Sequence, residues 1–394
     1  MTRSAHPAAL RPRANRITEQ ECDIDEFVAL LDQVTDLADY PYAAETSRGV
    51  LFYDSAEVVA LDDARRADLS DELAQALLTG PGIVVFRGAF GAEHGLAETT
   101  DLFTAIIDDQ KAAGMTGGDH FAKPGANDRI WNALQKFAER DPQLFARYYA
   151  NDVLALISEA WLGPMYQVTS QVNVVNPGGA AQNPHRDYHL GFMSPDTAEK
   201  FRAHTHRLSP ALTLQGAVAH VDMPIESGPT MYLPYSQQYE AGYLAFNLPE
   251  FQEHFAANYV QLPLRAGDAV FFNPGLFHAA GNNVSTDIKR MANLLQVSSA
   301  FGRAMDAVDR SAMVRALYPA LVKLAETGDD RAVRNVIASS AEGYAFPSNL
   351  DLDQPITGLH GETQAELVAR AVAGRFDAER FEREVTELDA RHRA

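Results

Sequence analysis

From Tyr166 onward the apolar residues stop recurring at helical spacing and begin to alternate. The run Tyr166-Gln167-Val168-Thr169-Ser170-Gln171-Val172-Asn173-Val174-Val175 ends in Asn176-Pro177-Gly178-Gly179, a strand closed by a turn. Strand patterns recur at 212–221, 230–233, 269–272, 277–280 and 291–298. Pro and Gly separate them, as in Glu226-Ser227-Gly228-Pro229 and Asn273-Pro274-Gly275. Many short strands punctuated this way predict a sandwich or small barrel. Helical spacing holds on both sides. Before the β region it appears at Phe27, Leu30, Leu31 and Val34, over 71–78 and 98–110, and from Ile130 to about 160. After it come stripes at Met313, Leu317, Leu321 and Leu324, and at Leu367, Val368, Ala371 and Val372. The expected architecture is a mainly β core over about 166–300. A helical part (21–165) precedes it and a helical extension (301–394) follows, all in one domain. Residues 1–20 read as a disordered tail, and the Gly-rich 112–127 as a loop.

Composition narrows the function. Asp plus Glu number 53 against 33 Lys plus Arg, a formal net charge of −20. That field repels nucleic acid and anionic membranes and disfavours a highly anionic substrate such as an acyl-CoA. Cys22 is the single cysteine, so the chain forms no internal disulfide and no thiolate cluster. There is no apolar signal core near the N-terminus and no run of the ~18 apolar residues a membrane span needs. A cytoplasmic enzyme acting on a small molecule is expected. Whether the C-terminal helices pack on the β core or pair two copies into a homo-oligomer is left open by the sequence.

The chemistry concentrates in Gln182-Asn183-Pro184-His185-Arg186-Asp187-Tyr188-His189. If 184–188 is extended, His185 and Asp187 share a face. An imidazole and a carboxylate so placed make two-thirds of a 2-His-1-carboxylate iron site. His278, in Leu276-Phe277-His278-Ala279-Ala280, is the best third ligand. Two neutral imidazoles and one carboxylate leave a divalent metal with charge +1, which favours an anionic, chelating co-substrate. A second carboxylate on that co-substrate suits a bidentate cation, and Arg290 opens the strand after His278. Were the two strands antiparallel neighbours, its guanidinium would reach a ligand between them. His185-Arg186-Asp187 also imitates a protein-kinase catalytic loop. The required Asn position holds Phe192, however, and neither Asp-Phe-Gly nor a Gly-rich loop with its lysine strand is present.

Several motifs in order resemble the phytanoyl-CoA dioxygenase-like branch of the iron(II)/2-oxoglutarate-dependent oxygenases. They are Gly82-Ile83-Val84-Val85-Phe86-Arg87-Gly88, the His185-x-Asp187 pair, Ala219 to Thr230, Gly267 to Phe272, and His278-Ala279-Ala280-Gly281-Asn282 with Arg290. The resemblance covers roughly 82–298. It implies a double-stranded β-helix, or jelly roll, with Fe(II) on His185, Asp187 and His278. Arg290 would hold the distal carboxylate of 2-oxoglutarate, and Gln171 and Asn173 would contact it. With Asp187 in the position that halogenating relatives leave small, the resemblance implies hydroxylation or another oxidation such as desaturation. O2 and 2-oxoglutarate would be consumed and succinate and carbon dioxide released. Ala280 departs from relatives that carry Ser there. Proximity in sequence nominates Gln182, Arg186, Tyr188, His189 and Phe277 as substrate contacts, and His120 and Trp131 as parts of a lid. His204, His206 and His220 show no ligand spacing. Two rivals stand beside the oxygenase: a cupin-type metal hydrolase or isomerase using zinc or manganese, and a non-catalytic metal- or ligand-binding jelly roll. Neither requires Arg290.

Overall fold

The computed structural model describes residues 15–114, 126–356 and 358–393. Residues 1–14, and 115–125 with His120, lie outside the described residues. The chain is ordered earlier than expected. Arg16 forms an antiparallel bridge with Arg202, and Ile17 is buried in the same apolar cluster as Phe27.

Eleven strands are described: β1 (Glu45–Ser47), β2 (Val50–Asp54), β3 (Ile83–Arg87), β4 (Asn127–Ile130), β5 (Gln167–Val175), β6 (Thr213–Ala219), β7 (Met231–Leu233), β8 (Val260–Gln261), β9 (Ala269–Phe272), β10 (Phe277–Ala279) and β11 (Arg290–Ser298). Eight form a major sheet in the order β1-β2-β3-β9-β6-β11-β5-β4, and three form a minor sheet in the order β10-β7-β8. His185 adds the stretch before Asp187 to the open edge of the minor sheet by bridging His278. From β5 onward the chain therefore passes repeatedly between sheets: β5 in the major, 185–187 in the minor, β6 in the major, β7 and β8 in the minor, β9 in the major, β10 in the minor and β11 in the major. Neighbours within each sheet pair antiparallel, except β2 with β3, which run parallel. This alternation is the double-stranded β-helix, a jelly roll.

Side-chain parity along the major sheet sorts its residues between two jobs. Val168, Val172, Val174, Leu214, Val218, Phe271, Met291, Leu295 and Val297 face outward into a large apolar cluster. The flanking helices build the rest of that cluster. It includes Leu73 and Leu77 of helix Asp63–Leu78, Phe137 of Ala133–Arg140, and Leu154 and Ile157 of Asp152–Leu162. The C-terminal helices pack on it too, through Leu317, Val336, Val368 and Leu388. The inward face differs along its length. At one end Val50, Phe52, Ile83, Val85, Val270 and Phe272 pack against Tyr232, Val260 and Leu262 of the minor sheet side. Toward the other end the inward residues shrink to Ala217, Ala219 and Ala292, and Ala280 faces them. Small side chains between two sheets leave room, and a cavity of about 380 Å³ opens there. Among the described residues no helix is long and apolar enough to cross a membrane.

Candidate active site

Three segments bring chemistry to this cavity. The first is 185–187. The backbone pairs of His185 N with His278 O (3.0 Å), His278 N with His185 O (3.2 Å) and Asp187 N with Pro274 O (3.1 Å) keep it extended as far as Asp187. His185 and Asp187 then point the same way and meet His278 from the neighbouring β10. The imidazole Nε2 atoms lie 3.7 Å (His185) and 3.3 Å (His278) from the Asp187 carboxylate oxygens. One ligand atom from each of the three residues lies within 4.8 Å of the others.

Each imidazole is oriented by its own backbone. Nδ1 of His185 faces Asn183 O at 2.9 Å, and Nδ1 of His278 faces Leu276 O at 2.9 Å. A carbonyl only accepts, so each Nδ1 carries the proton and each Nε2 presents its lone pair to the common centre. Asp187 takes a hydrogen bond from the Gln215 amide of β6. Burial pushes the Asp187 carboxyl up. His185, His278 and the Gln215 amide outweigh it and hold the group well below the usual carboxylate range. The donor set is thus anionic at one corner and neutral at two, with all three groups converging, which fits a divalent cation.

The second segment is β11. Arg290 is 7% exposed and faces the cavity. Its Nη1 is buried with no hydrogen-bond partner among the described residues. Burial draws its pKa down to about 10, against the opposing influence of the Tyr232 phenol. The expected geometry needs correction here. Strands β10 and β11 are not neighbours: β10 pairs with β7 in the minor sheet, and β11 lies between β5 and β6 in the major one. Arg290 enters the cavity from the sheet opposite His278, because the chain crosses between sheets after residue 279.

The third segment is β5, whose Gln171 and Asn173 both line the cavity. Asn173 stands opposite Ala292 in the register, and its Oδ1 is buried without a partner. Gln182 lines the cavity as well.

The remaining sequence candidates do not. Arg186 is 2% exposed and points to the far side of its strand, where its guanidinium donates to Ser236 O and Tyr239 O. Phe277 is fully buried behind β10, against Phe27. Strand parity forces both outcomes, since neighbours of inward residues face outward. Tyr188 and His189 leave the strand with φ of +62° and +45° and turn off the cavity wall. His206 and His220 are core residues. Nε2 of His206 lies 3.1 Å from Ala198 O, and His220 lies between Thr100 and Tyr148, with burial pulling its pKa down to about 3.

Sequence reasoning missed Gln215, Gln296, and Asn127 and Arg129 of β4, all of which line the cavity. Gln215 and Gln296 face each other across β6 and β11. Each is a polar residue at an inward position of its strand, flanked on both sides by apolar residues or Gly, and that was the available signal. Trp131 also lines the cavity, under the Arg129 guanidinium at 4.6 Å.

Among curated proteins no sequence matches significantly. Similar solved structures include SnoN, described as a non-heme alpha-ketoglutarate-dependent epimerase from nogalamycin biosynthesis. It is 21% identical over 61% of this chain and 84% of its own, with a TM-score of 0.40. SnoK, described as a carbocyclase from the same biosynthesis, is 20% identical over 64% and 92%, with a TM-score of 0.42. HygX from Streptomyces hygroscopicus, solved with nickel, 2-oxoglutarate and hygromycin B, is 15% identical over 60% and 90%, with a TM-score of 0.41. The family model for phytanoyl-CoA dioxygenase (PhyH) matches residues 78–291, more than half of the chain and the stretch that holds the His-Asp-His group and Arg290. The chain therefore belongs to the phytanoyl-CoA dioxygenase family of iron- and 2-oxoglutarate-dependent enzymes.

Proposed function

We propose that this enzyme, a single oxygenase domain, hydroxylates a small molecule: R–H + 2-oxoglutarate + O2 gives R–OH + succinate + CO2, with one oxygen atom of O2 in each organic product. The observation that carries this reading is that the His185–Asp187–His278 group and the unpartnered Arg290 cation face one cavity from opposite sheets. The hydrolase rival has no use for that cation.

His185 Nε2, an Asp187 oxygen and His278 Nε2 hold the metal. Bound iron supplies chelation of the keto-acid and activation of O2. Arg290 takes the distal carboxylate of 2-oxoglutarate through its free Nη1. The charges then close. The ligated metal at +1, 2-oxoglutarate at −2 and Arg290 at +1 sum to zero, so these three groups together bury no net charge. Gln171 and Asn173 flank the co-substrate from β5. Gln215 keeps Asp187 ionised and turned toward the metal. Gln182, on the cavity wall beside the triad, belongs to the substrate's surroundings. The alanine-lined walls exclude water and suit a compact substrate with an apolar face.

The test is succinate formation from 2-oxoglutarate by the Fe(II)-loaded enzyme, followed by a substrate screen under 18O2. Label in the organic product supports hydroxylation. Succinate formation with a product two hydrogens lighter and unlabelled assigns desaturation instead. No consumption of 2-oxoglutarate under any condition refutes the oxygenase reading.

A further inference from the structure

Arg186 stands between two of the proposed metal ligands in sequence yet never enters the cavity. It is the bulkiest of the fully buried side chains. Among the described residues no carboxylate pairs with it. Its guanidinium donates to Ser236 O at 2.5 Å and Tyr239 O at 2.9 Å, its Nε has no partner, and it lies over the rings of Tyr243 (5.1 Å) and Phe277 (5.3 Å). Burying a cation without a counter-ion is costly. Two glycines also make way for it. A Cβ on Gly242 would come within 1.9 Å of its Cζ, and one on Gly191 within 2.1 Å of its carbonyl oxygen. A methionine would fill this space at far less expense, so packing alone does not account for the arginine.

The partners of Arg186 supply the account. Ser236 receives the guanidinium on its backbone carbonyl. The same residue's Oγ accepts the backbone N–H of Phe277 at 2.8 Å, immediately before His278. Ser236 thus joins the limb carrying His185 and Asp187 to the limb carrying His278. Tyr243 braces the first limb, its hydroxyl donating to Asp187 O at 3.5 Å while its ring lies under Arg186. The two limbs also meet directly, through the backbone pairs of His185 with His278, Asp187 with Pro274 and Gln182 with Ala280, and through the Asp187–His278 side-chain contact; the Ser236 link braces them from the face away from the cavity.

We propose that Arg186 and Ser236 form a buried strut that sets the distance and angle between the His185/Asp187 pair and His278, making both positioning residues for the metal centre. The proposal rests on those three residues being the ligands. A guanidinium suits this role because its planar fork addresses two carbonyls at fixed angles, which a lysine cannot do.

The test uses Co(II) as probe on the full-length apo protein, reading its dissociation constant and its visible ligand-field spectrum. The variants are Arg186→Met, Arg186→Lys and Ser236→Ala. The control is Arg310→Met, which removes another buried arginine bound to two carbonyls, Val168 O and Ser339 O, in the C-terminal helical layer. Circular dichroism and thermal melts establish that each protein is folded. Expected is a loss of Co(II) affinity of about 10- to 100-fold in the Arg186 variants, with an altered spectrum, and a smaller loss in Ser236→Ala. The control melts earlier but binds Co(II) with wild-type affinity and spectrum. If Arg186→Met does not fold, Arg186→Lys and Ser236→Ala decide. Wild-type affinity and spectrum in the folded variants overturn the strut and leave Arg186 a stability residue like Arg310. Failure of the wild type itself to bind Co(II) overturns the ligand assignment and the strut with it.

Discussion

Arg290 makes opposite predictions for stability and for function, and Arg290→Met separates them. In the apo protein the guanidinium is almost wholly buried, Nη1 meets no acceptor among the described residues, and burial draws its pKa from 12.5 to about 10. At about 1.4 kcal/mol for each unit of pKa, keeping that charge inside costs the empty enzyme about 3 kcal/mol. Methionine keeps most of the apolar stem and removes the charge, and imperfect repacking takes back about 1–2 kcal/mol. A net gain of about 1–2 kcal/mol follows, a rise in apo Tm of roughly a few degrees. With co-substrate the sign reverses. Losing one partner of a buried charge pair costs about 2–5 kcal/mol, so 2-oxoglutarate should bind roughly 30- to several-thousand-fold more weakly. The assay is a thermal melt of apo protein, of protein with Mn(II), and of protein with Mn(II) and 2-oxoglutarate, for wild type and variant. Wild type should gain stability at both additions, the variant only at the first. A variant that melts below wild type when empty and still responds to 2-oxoglutarate would refute both the unpaired-cation reading and the carboxylate assignment.

Other outcomes follow from the same geometry. Asp187→Ala and His278→Ala should each abolish succinate formation while the protein stays soluble and folded; residual turnover near wild type in either removes that residue from the ligand set. Gln215→Leu strips Asp187 of its side-chain donor from β6 and should weaken Mn(II) binding about 10- to 100-fold, read by titration; unchanged binding would mean the amide serves only packing. His220 is held neutral, with a folded pKa of about 3 against about 6.5 unfolded. The unfolded chain therefore binds the extra proton, and stability falls as pH drops below about 6.5, by about 2 kcal/mol at pH 5 from this group alone. Urea unfolding at pH 7 and pH 5 should show that loss in wild type and a loss smaller by about the same amount in His220→Gln. Equal losses would show that the imidazole is not the group responsible.

The strands of the jelly roll were legible because each has two dry faces or one dry and one functional face. Segment 269–272 is apolar throughout, with helices on one side and the inter-sheet core on the other, so its pattern needs no tertiary information. The grouping of the proposed ligand pair was legible for a related reason: period-two geometry places residues 185 and 187 together wherever the strand lies. Which sheet a strand joins was not legible. Residues 278 and 290 are twelve apart, and a hairpin between them is the simplest inference from sequence. The jelly roll instead sends the chain across the cavity between them. β4 escaped notice because Asn127-Asp128-Arg129-Ile130 carries one apolar residue and borrows its conformation from pairing with β5.

Parity also explains the errors among the substrate candidates. The geometry that turns His185 and Asp187 inward must turn Arg186 outward, and the one that turns His278 inward must turn Phe277 outward. Nearness in sequence to a ligand is therefore evidence against a place in the cavity when the spacing is one, and evidence for it when the spacing is two. Applied to β6 and β11, that rule selects Thr213, Gln215, Ala217 and Ala219, and Arg290, Ala292, Leu294, Gln296 and Ser298; all line the cavity except Thr213 and Ser298, which pair with each other at one end of the strands. In β11 the polar Arg290 and Gln296 flank Ala292 and Leu294, and in β6 Gln215 precedes Ala217 and Ala219. Substrate identity should then depend on the middle of the row: a larger side chain at Ala217, whose strand neighbours are Leu294 and Val270, would shrink the cavity away from Arg290 and Asn173. Ala217→Leu should accordingly leave 2-oxoglutarate consumption in the absence of substrate near wild type while suppressing the increase that substrate brings. Equal suppression of both rates would mean that the alanine row borders the co-substrate rather than the substrate.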